Sequence, residues 1–387
     1  MAPVRVQLTI AMEAIQPWRR FDFVLLACAL LLIALGVAMI RSATMNTPDL
    51  TELWRRQATY AGLGLVLFLI LSATPYTWWR SLWPLLYLLA AGLLVLVLFI
   101  GQSEIGDVRR WFYIGSFRFQ PSFPGMVLHV LTLASVFTLR VRKERRLPGD
   151  GSEEESPPGL LLYGLSGILT LILAALVFRE PDLSTAAIYG VIWLAMAFAA
   201  GVRLIYLAGT GLLGMVGAIP LWYLMEEYQR QRILVFLNPE KDPGALYNLR
   251  QALISIGSGG FWGQGYGGGS QSQLHFLRVR HTDFIFSVIG EELGFIGIMV
   301  MFFLFTLIAW RLLRAAVLAP DRFGRLIVVG VGGILFIPLV INVGMNLGLL
   351  PVTGLPLPFI SYGGTALVTN LAALGLAESV VMRNRER

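Results

Sequence analysis

The sequence predicts an all-α polytopic membrane protein of about ten transmembrane helices, with a long extracytoplasmic loop between the seventh and eighth spans. Three observations predict it. Hydrophobic residues make up 56% of the 387 residues and charged residues only 14%, where soluble domains carry about 25% charged residues. Apolar runs of the ~20 residues that cross a ~30 Å hydrocarbon core recur along the whole length. No polar stretch between them is large enough for a separate soluble domain, so residues 1–387 read as a single membrane domain.

Hydropathy places the spans near 22–42, 54–73, 82–101, 122–139, 160–178, 184–201, 203–225, 283–312, 326–348 and 361–382. The first follows Arg19, Arg20 and Asp22 without a cleavage-like site, so it is expected to stay as a span. It holds Cys28, the single cysteine, which excludes an intrachain disulfide and a thiol metal cluster built from this chain alone. Both termini are expected in the cytoplasm of a bacterial inner-membrane protein. That orientation puts Arg5, Arg19, Arg20, Arg80, the basic run 140–146, Arg203, Arg311, Arg314, Arg322 and Arg325 inside, as positive-inside bias requires. Segment 140–159, charged and rich in Pro, Gly and Ser, reads as a cytoplasmic linker that packs no core. The net charge of +7 is spread over short loops, which argues against a nucleic-acid partner and for anionic lipid.

Two outer loops, 102–121 and 226–282, hold basic residues that the insertion rule does not call for. The first carries Arg109, Arg110 and Arg118, with Trp111 and Gln120; the second carries Arg230, Arg232, Lys241, Arg250, Arg278 and Arg280, with Gln251. Arginine's planar fork suits phosphate oxygens, and glycines at 257–260 and 263–269 allow close backbone approach to a ligand. The plainer reading is contact with lipid headgroups. A loop of ~57 residues is also far longer than ordinary connections, which favours a functional or separately structured segment.

That loop ends at His281, Thr282 and Asp283, where a long apolar helix opens. A carboxylate at the membrane's outer edge suits a general base; the alternative is an N-terminal helix cap. Ser287, Gly290, Glu291 and Gly294 recur at helical steps of three and four, so this polar, small stripe is expected to face protein. Glu291 and Glu292 within a span cost on the order of 2.5 to 3.5 kcal/mol each, so they are expected to have partners and to be supporting residues. Eight helical residues separate Asp283 from Glu291 by ~12 Å, beyond the ~5 to 9.5 Å of paired glycosidase carboxylates. One carboxylate suffices for glycosyl transfer from a diphosphate donor, whose leaving group is already a stabilised anion. Glu180, Asp182, Asn342, Thr353, Ser361, Tyr362, Thr365 and Asn370 lie at outer span edges. They either line one cavity or cap and pack helices. His129, His275 and His281 lack metal-ligand spacing.

Longer strings carry a resemblance. RRWFYIGSFRFQPS at 109–122, EPDLSTA at 180–186, YQRQRILVFLNPEKDP at 228–243, ISIGSGGFWGQG at 254–265, HTDFIFSVIGEELGFIG at 281–297 and NLGLLPVTGLPLPFISYGG at 346–364 together resemble the SEDS family (shape, elongation, division, sporulation). Within it they are closer to the elongation member RodA than to the division member FtsW. The resemblance implies a ten-span glycosyltransferase that polymerises lipid II outside the membrane, beside a class B penicillin-binding protein and other elongation-complex proteins. It implies that Asp283 is the essential residue. Two departures accompany it. The family's QPSE with a lysine three residues on is here QPSFPGM, with Phe123 and Met126 in those places, and its LPE is Leu277, Arg278, Val279.

The expected mechanism has Asp283 deprotonate the acceptor 4-hydroxyl, with inversion at the donor anomeric carbon. Arg109, Arg110, Arg278 and Arg280 would neutralise undecaprenyl diphosphate. A divalent cation, Mg or Mn, is compatible with that chemistry, and the sequence identifies no ligands for it. A lipid flippase and a non-catalytic scaffold are the alternatives; a flippase calls for midplane polar residues, whereas these cluster at one edge.

Overall fold

The computed structural model describes residues 17–102, 109–115, 117–139, 158–238, 243–274, 276–277 and 279–384. Thirteen α-helices, three short 3₁₀ helices and one hairpin lie among them. Helices α1 (Phe23–Thr44), α2 (Leu53–Ala73) and α3 (Trp83–Ile100) precede a short antiparallel pair, β1 (Phe112–Ile114) and β2 (Phe117–Phe119). Then come α4 (Ser122–Phe137), α5 (Leu160–Arg179), α6 (Leu183–Ala199) and α7 (Leu204–Leu224). The long loop holds α8 (Glu227–Leu237), α9 (Pro243–Ser258) and α10 (Ser270–Gln273), and the chain ends with α11 (Ile285–Val317), α12 (Arg322–Asn346) and α13 (Gly364–Met382).

Each of the ten predicted spans meets a helix. Eight are long and apolar enough to cross a membrane, and α4 and α6 are shorter apolar helices. The chain is a helical, multi-pass membrane protein. Residues 140–157 of the expected linker lie outside the described residues, as do Lys241, His275 and Arg278. Asp side chains start three helices: Asp22, Asp182 and Asp321 accept from the backbone N–H of Leu25, Thr185 and Gly324, taking up donors that a helix start leaves unpaired.

Helix α13 is the centre. It packs most extensively on α2 and also touches α12 and α4, and 94% of its apolar window is buried, whereas α7 buries none of its residues and leans only lightly on α6. A helix that is apolar all round needs a low-dielectric surround, which the bundle supplies to α13 and lipid supplies to α7. Met126 is fully buried and Phe123 packs on the core. The two apolar replacements in the QPS segment are thus part of the packing of α4.

Helix α11 breaks at Gly294, whose backbone is left-handed (φ 64°, ψ −162°). The glycine-rich loop fills the break: Gln264 and Gly265 donate to the carbonyls of Glu291 and Glu292, and Phe295 and Ile296 donate to those of Gly260 and Phe261. At Gly263 a Cβ would lie 2.2 Å from the Glu292 carbonyl oxygen, so the loop comes this close only as glycine. At Gly259 and Gly263 the close approach that the glycines allow is to the α11 backbone, whereas Gly257, Gly260 and Gly265 face open space.

Candidate active site

The carboxylates of α11 divide sharply. Glu291 accepts from the backbone N–H groups of Gln271 (2.7 Å) and Ser272 (3.1 Å), capping α10. Glu292 accepts from the Ser42 hydroxyl (2.5 Å), the Gly267 N–H (3.1 Å) and Gln273 Nε2 (3.3 Å). Both side chains are fully buried. Every such bond offsets part of the cost of a carboxylate out of water.

Asp283 is held differently. It lies in the turn before α11, whose cap is Phe284, and its side chain caps no helix. Its own backbone is pinned: Asn342 and Asn346 of α12 donate to the Asp283 carbonyl at 3.2 and 2.9 Å. Ser361 donates to the Thr282 carbonyl at 2.6 Å, and Tyr362 N–H to the His281 carbonyl at 3.0 Å. Val279 starts the turn in the left-handed region (φ 51°) and its carbonyl receives the N–H groups of Thr282 and Asp283. A β-branched residue there stores strain that the surrounding bonds must hold. Burial pushes the Asp283 carboxyl up to about 6, against the pull of the Thr282 hydroxyl and the Arg232 charge. Burial and the Arg280 charge push His281 down to about 4, leaving a neutral imidazole beside it in sequence.

Opposite lies the start of α6. Asp182 accepts from Gln120 Nε2 at 3.2 Å and from Thr185 N–H at 3.1 Å, and Gln120 also donates to Ser122. Glu180 is fully buried with no partner on either carboxyl oxygen. Burial first, then Asp182, push it up to about 9 in spite of Arg110, so it is a neutral acid at neutral pH.

Most of the candidate arginines bind protein carbonyls. Arg110 donates to Glu180 (2.6 Å) and Pro181 carbonyls and to the Tyr228 hydroxyl (2.7 Å). Arg280, 7% exposed, donates to the Ala43 carbonyl and the Thr47 hydroxyl, tying the Asp283 turn to the end of α1. Arg230 donates to the carbonyls of Trp222 and Tyr223, and Arg109 to that of Phe99. In poorly hydrated surroundings a guanidinium and an unpaired carbonyl satisfy each other. Arg232 keeps more in reserve: among the described residues it donates only Nη1, to the Thr353 carbonyl at 3.0 Å.

Trp111 pairs by backbone with Gln102. Arg250 is exposed on α9, and Gln251 beside it keeps a buried, unpartnered Oε1. Asn370 is buried within α13, away from the hydrogen bonds that hold the Asp283 turn. Asn346, Tyr228 and Gln229 were not among the sequence candidates. The signal available for Gln229 was a Glu226-x-x-Gln229 capping box, which the structure forms. Among the described residues no three His, Cys, Asp or Glu side chains converge to hold a metal ion, so these side chains do not by themselves complete a donor set for Mg or Mn.

A family model described as cell cycle protein, covering FtsW, RodA and SpoVE, matches residues 22–386. The chain belongs to this family, the SEDS family. Its FtsW/RodA/SpoVE relatives include the peptidoglycan glycosyltransferase MrdB of Escherichia coli K12, 36% identical over 364 residues and 93% of each chain. Another is the probable peptidoglycan glycosyltransferase FtsW of Trichlorobacter lovleyi, 36% identical over 372 residues and 93% of each chain. Among solved structures, a chain of a peptidoglycan synthase complex that coordinates polymerization and crosslinking superposes with TM-score 0.77 at 30% identity, over 95% of this chain and 99% of that one. The rod shape determining protein RodA of Thermus thermophilus gives 0.68 at 29%, over 95% and 98%.

Proposed function

We propose that this SEDS-family enzyme is a peptidoglycan glycosyltransferase that polymerises lipid II for cell elongation, with Asp283 as general base on the outer face of the inner membrane. The observation that carries the reading is the contrast at Asp283 itself: its backbone is fixed by Asn342, Asn346 and Ser361, while its carboxylate has no capping duty. Asp283 takes the proton of the acceptor 4-hydroxyl as that oxygen attacks the donor anomeric carbon. The new C–O bond forms as the bond to undecaprenyl diphosphate breaks, and the electron pair leaves on the diphosphate with inversion. A base whose carboxyl titrates near 6 is mostly ionised at pH 7 and still basic enough to take a developing proton. A class B penicillin-binding protein would crosslink the product, within a larger elongation complex, and both termini would lie in the cytoplasm. A Mg or Mn ion would assist by neutralising diphosphate charge.

The test uses purified chain with a cognate penicillin-binding partner and lipid II, read on a gel. Long glycan from wild type and none from folded Asp283→Ala is the expected result. Lipid translocation in vesicles without polymerisation by wild type would replace this reading with the flippase.

A further inference from the structure

Between the start of α6, helix α8 and residues 351–353 lies a cavity of about 50 Å³, lined in part by Arg110, Asp182, Tyr228, Gln229, Arg232 and Thr353. Its hydrogen-bonding capacity is lopsided. The Asp182 carboxylate already takes two donors, and the Tyr228 hydroxyl is given to the Pro181 carbonyl. Gln229 is 4% exposed, its Oε1 accepts the Glu226 N–H, and its Nε2 has no acceptor among the described residues. Arg232 lies over the Tyr228 ring, 5.7 Å from its centroid, and its Nε and Nη2 have no hydrogen-bond partner among the described residues. What the cavity has unspent is therefore N–H donors. The buried Gln229 donor is costly to leave without an acceptor and asks for an occupant, and the exposed Arg232 presents its N–H groups at the mouth of the same cavity.

Charge points the same way. Two guanidinium groups face one hydrogen-bonded carboxylate, and Glu180 beneath is uncharged at neutral pH, so the corner is net positive. It is also joined to the base. Arg232 holds the Thr353 carbonyl, the next residue is Gly354, and a Cβ added there would lie 3.6 Å from Asp283 Oδ2. Arg232 is the cation that acts on the Asp283 carboxyl.

We propose that Arg232 and Gln229 form the subsite for the phosphoryl oxygens of the leaving lipid diphosphate, placing the donor lipid on the α8 side of Asp283 and the acceptor on the other. This rests on the glycosyl-transfer reading above. When the anomeric C–O bond breaks, the electron pair passes to a diphosphate oxygen that Gln229 Nε2 and the free edge of the Arg232 guanidinium receive, while the acceptor's proton goes to Asp283. Of the arginines expected to neutralise the diphosphate, Arg109, Arg110 and Arg280 are engaged with carbonyls and hydroxyls of the protein, and Arg278 lies outside the described residues.

The probe is inorganic diphosphate, titrated calorimetrically into the purified full chain in detergent, with N-acetylmuramic acid as a carboxylate competitor. Arg232→Gln and Gln229→Glu are each expected to weaken diphosphate binding at least tenfold, and Arg232→Lys less so. Gln229→Glu keeps the capping oxygen, and thermal melting checks that each variant is folded. Equal binding by wild type and Arg232→Gln overturns the assignment, as does displacement of diphosphate by the muramic acid carboxylate at lower concentration. If wild type binds diphosphate with this dependence but makes no glycan with its partner, the subsite stands and the polymerase reading fails.

Discussion

Two acidic regions lie within ten residues of each other, at Asp283 and at Glu291–Glu292, and they are built in opposite ways. The glutamates' oxygens are supplied with backbone and hydroxyl donors from α1 and the α10 loop, while their helix runs on beneath them. At Asp283 the amide donors go to the backbone carbonyl, and the Thr282 hydroxyl and the Arg232 charge are what bear on the carboxyl. A carboxylate that is satisfied holds structure together; one that is positioned without being satisfied is available for chemistry.

The largest effect expected from this contrast is at the base. Asp283→Asn should lower polymerisation by on the order of 10³-fold with the melting temperature of the detergent-solubilised protein nearly unchanged; retained activity would end its role as base. Glu292→Ala should do the reverse, destabilising by about 2 kcal/mol by stranding the Ser42, Gly267 and Gln273 donors. Its specific activity per folded molecule, measured after size-exclusion purification, should be close to wild type. Next comes pH. Because burial raises the Asp283 carboxyl, the ionised form is lost as pH falls through about 6, so the rate should drop tenfold per unit below that value and stay level above it toward neutral. A profile limited instead near 4 would mean an unperturbed carboxylate.

Smaller changes probe the scaffold. Asn346→Leu removes a donor to the Asp283 carbonyl and the acceptor of the Ser287 hydroxyl; a loss of roughly tenfold in kcat with KM little changed would mark misplacement of the base. Val279→Gly relieves the left-handed strain and should raise stability by up to about 1 kcal/mol, visible as a small upward shift in the melting curve.

Much of this fold was legible because lipid imposes a one-dimensional code. Apolar length marks a span whether it ends up as buried as α13 or as bare as α7. Asp283 became a candidate because a carboxylate at the mouth of an apolar run stands out. The partners of Glu291 and Glu292 were anticipated in kind from the cost of burying them, but not in identity, since Ser42 and Glu292 are joined only by folding. The arginines were harder. All look alike as cations in a loop, and only three-dimensional bookkeeping separates Arg280, spent on Ala43 and Thr47, from Arg232 with N–H groups to spare. Gln229 was hidden for the same reason, because an amide's orphaned half is not written in its sequence neighbours.

The break at Gly294 sets a height. A straight helix of 33 residues would reach roughly 50 Å, well beyond a hydrocarbon layer of ~30 Å, and would have to tilt steeply or deform the bilayer around it. Broken at Gly294, the part at 295–317 spans roughly 35 Å and fits with modest tilt, while 285–293 runs as a separate short rod beside the loop. The offset of Asp283 from the long apolar part of α11 is therefore governed by one residue's backbone angles. Membranes of different thickness would be accommodated by the longer rod, leaving the aspartate's surroundings undisturbed.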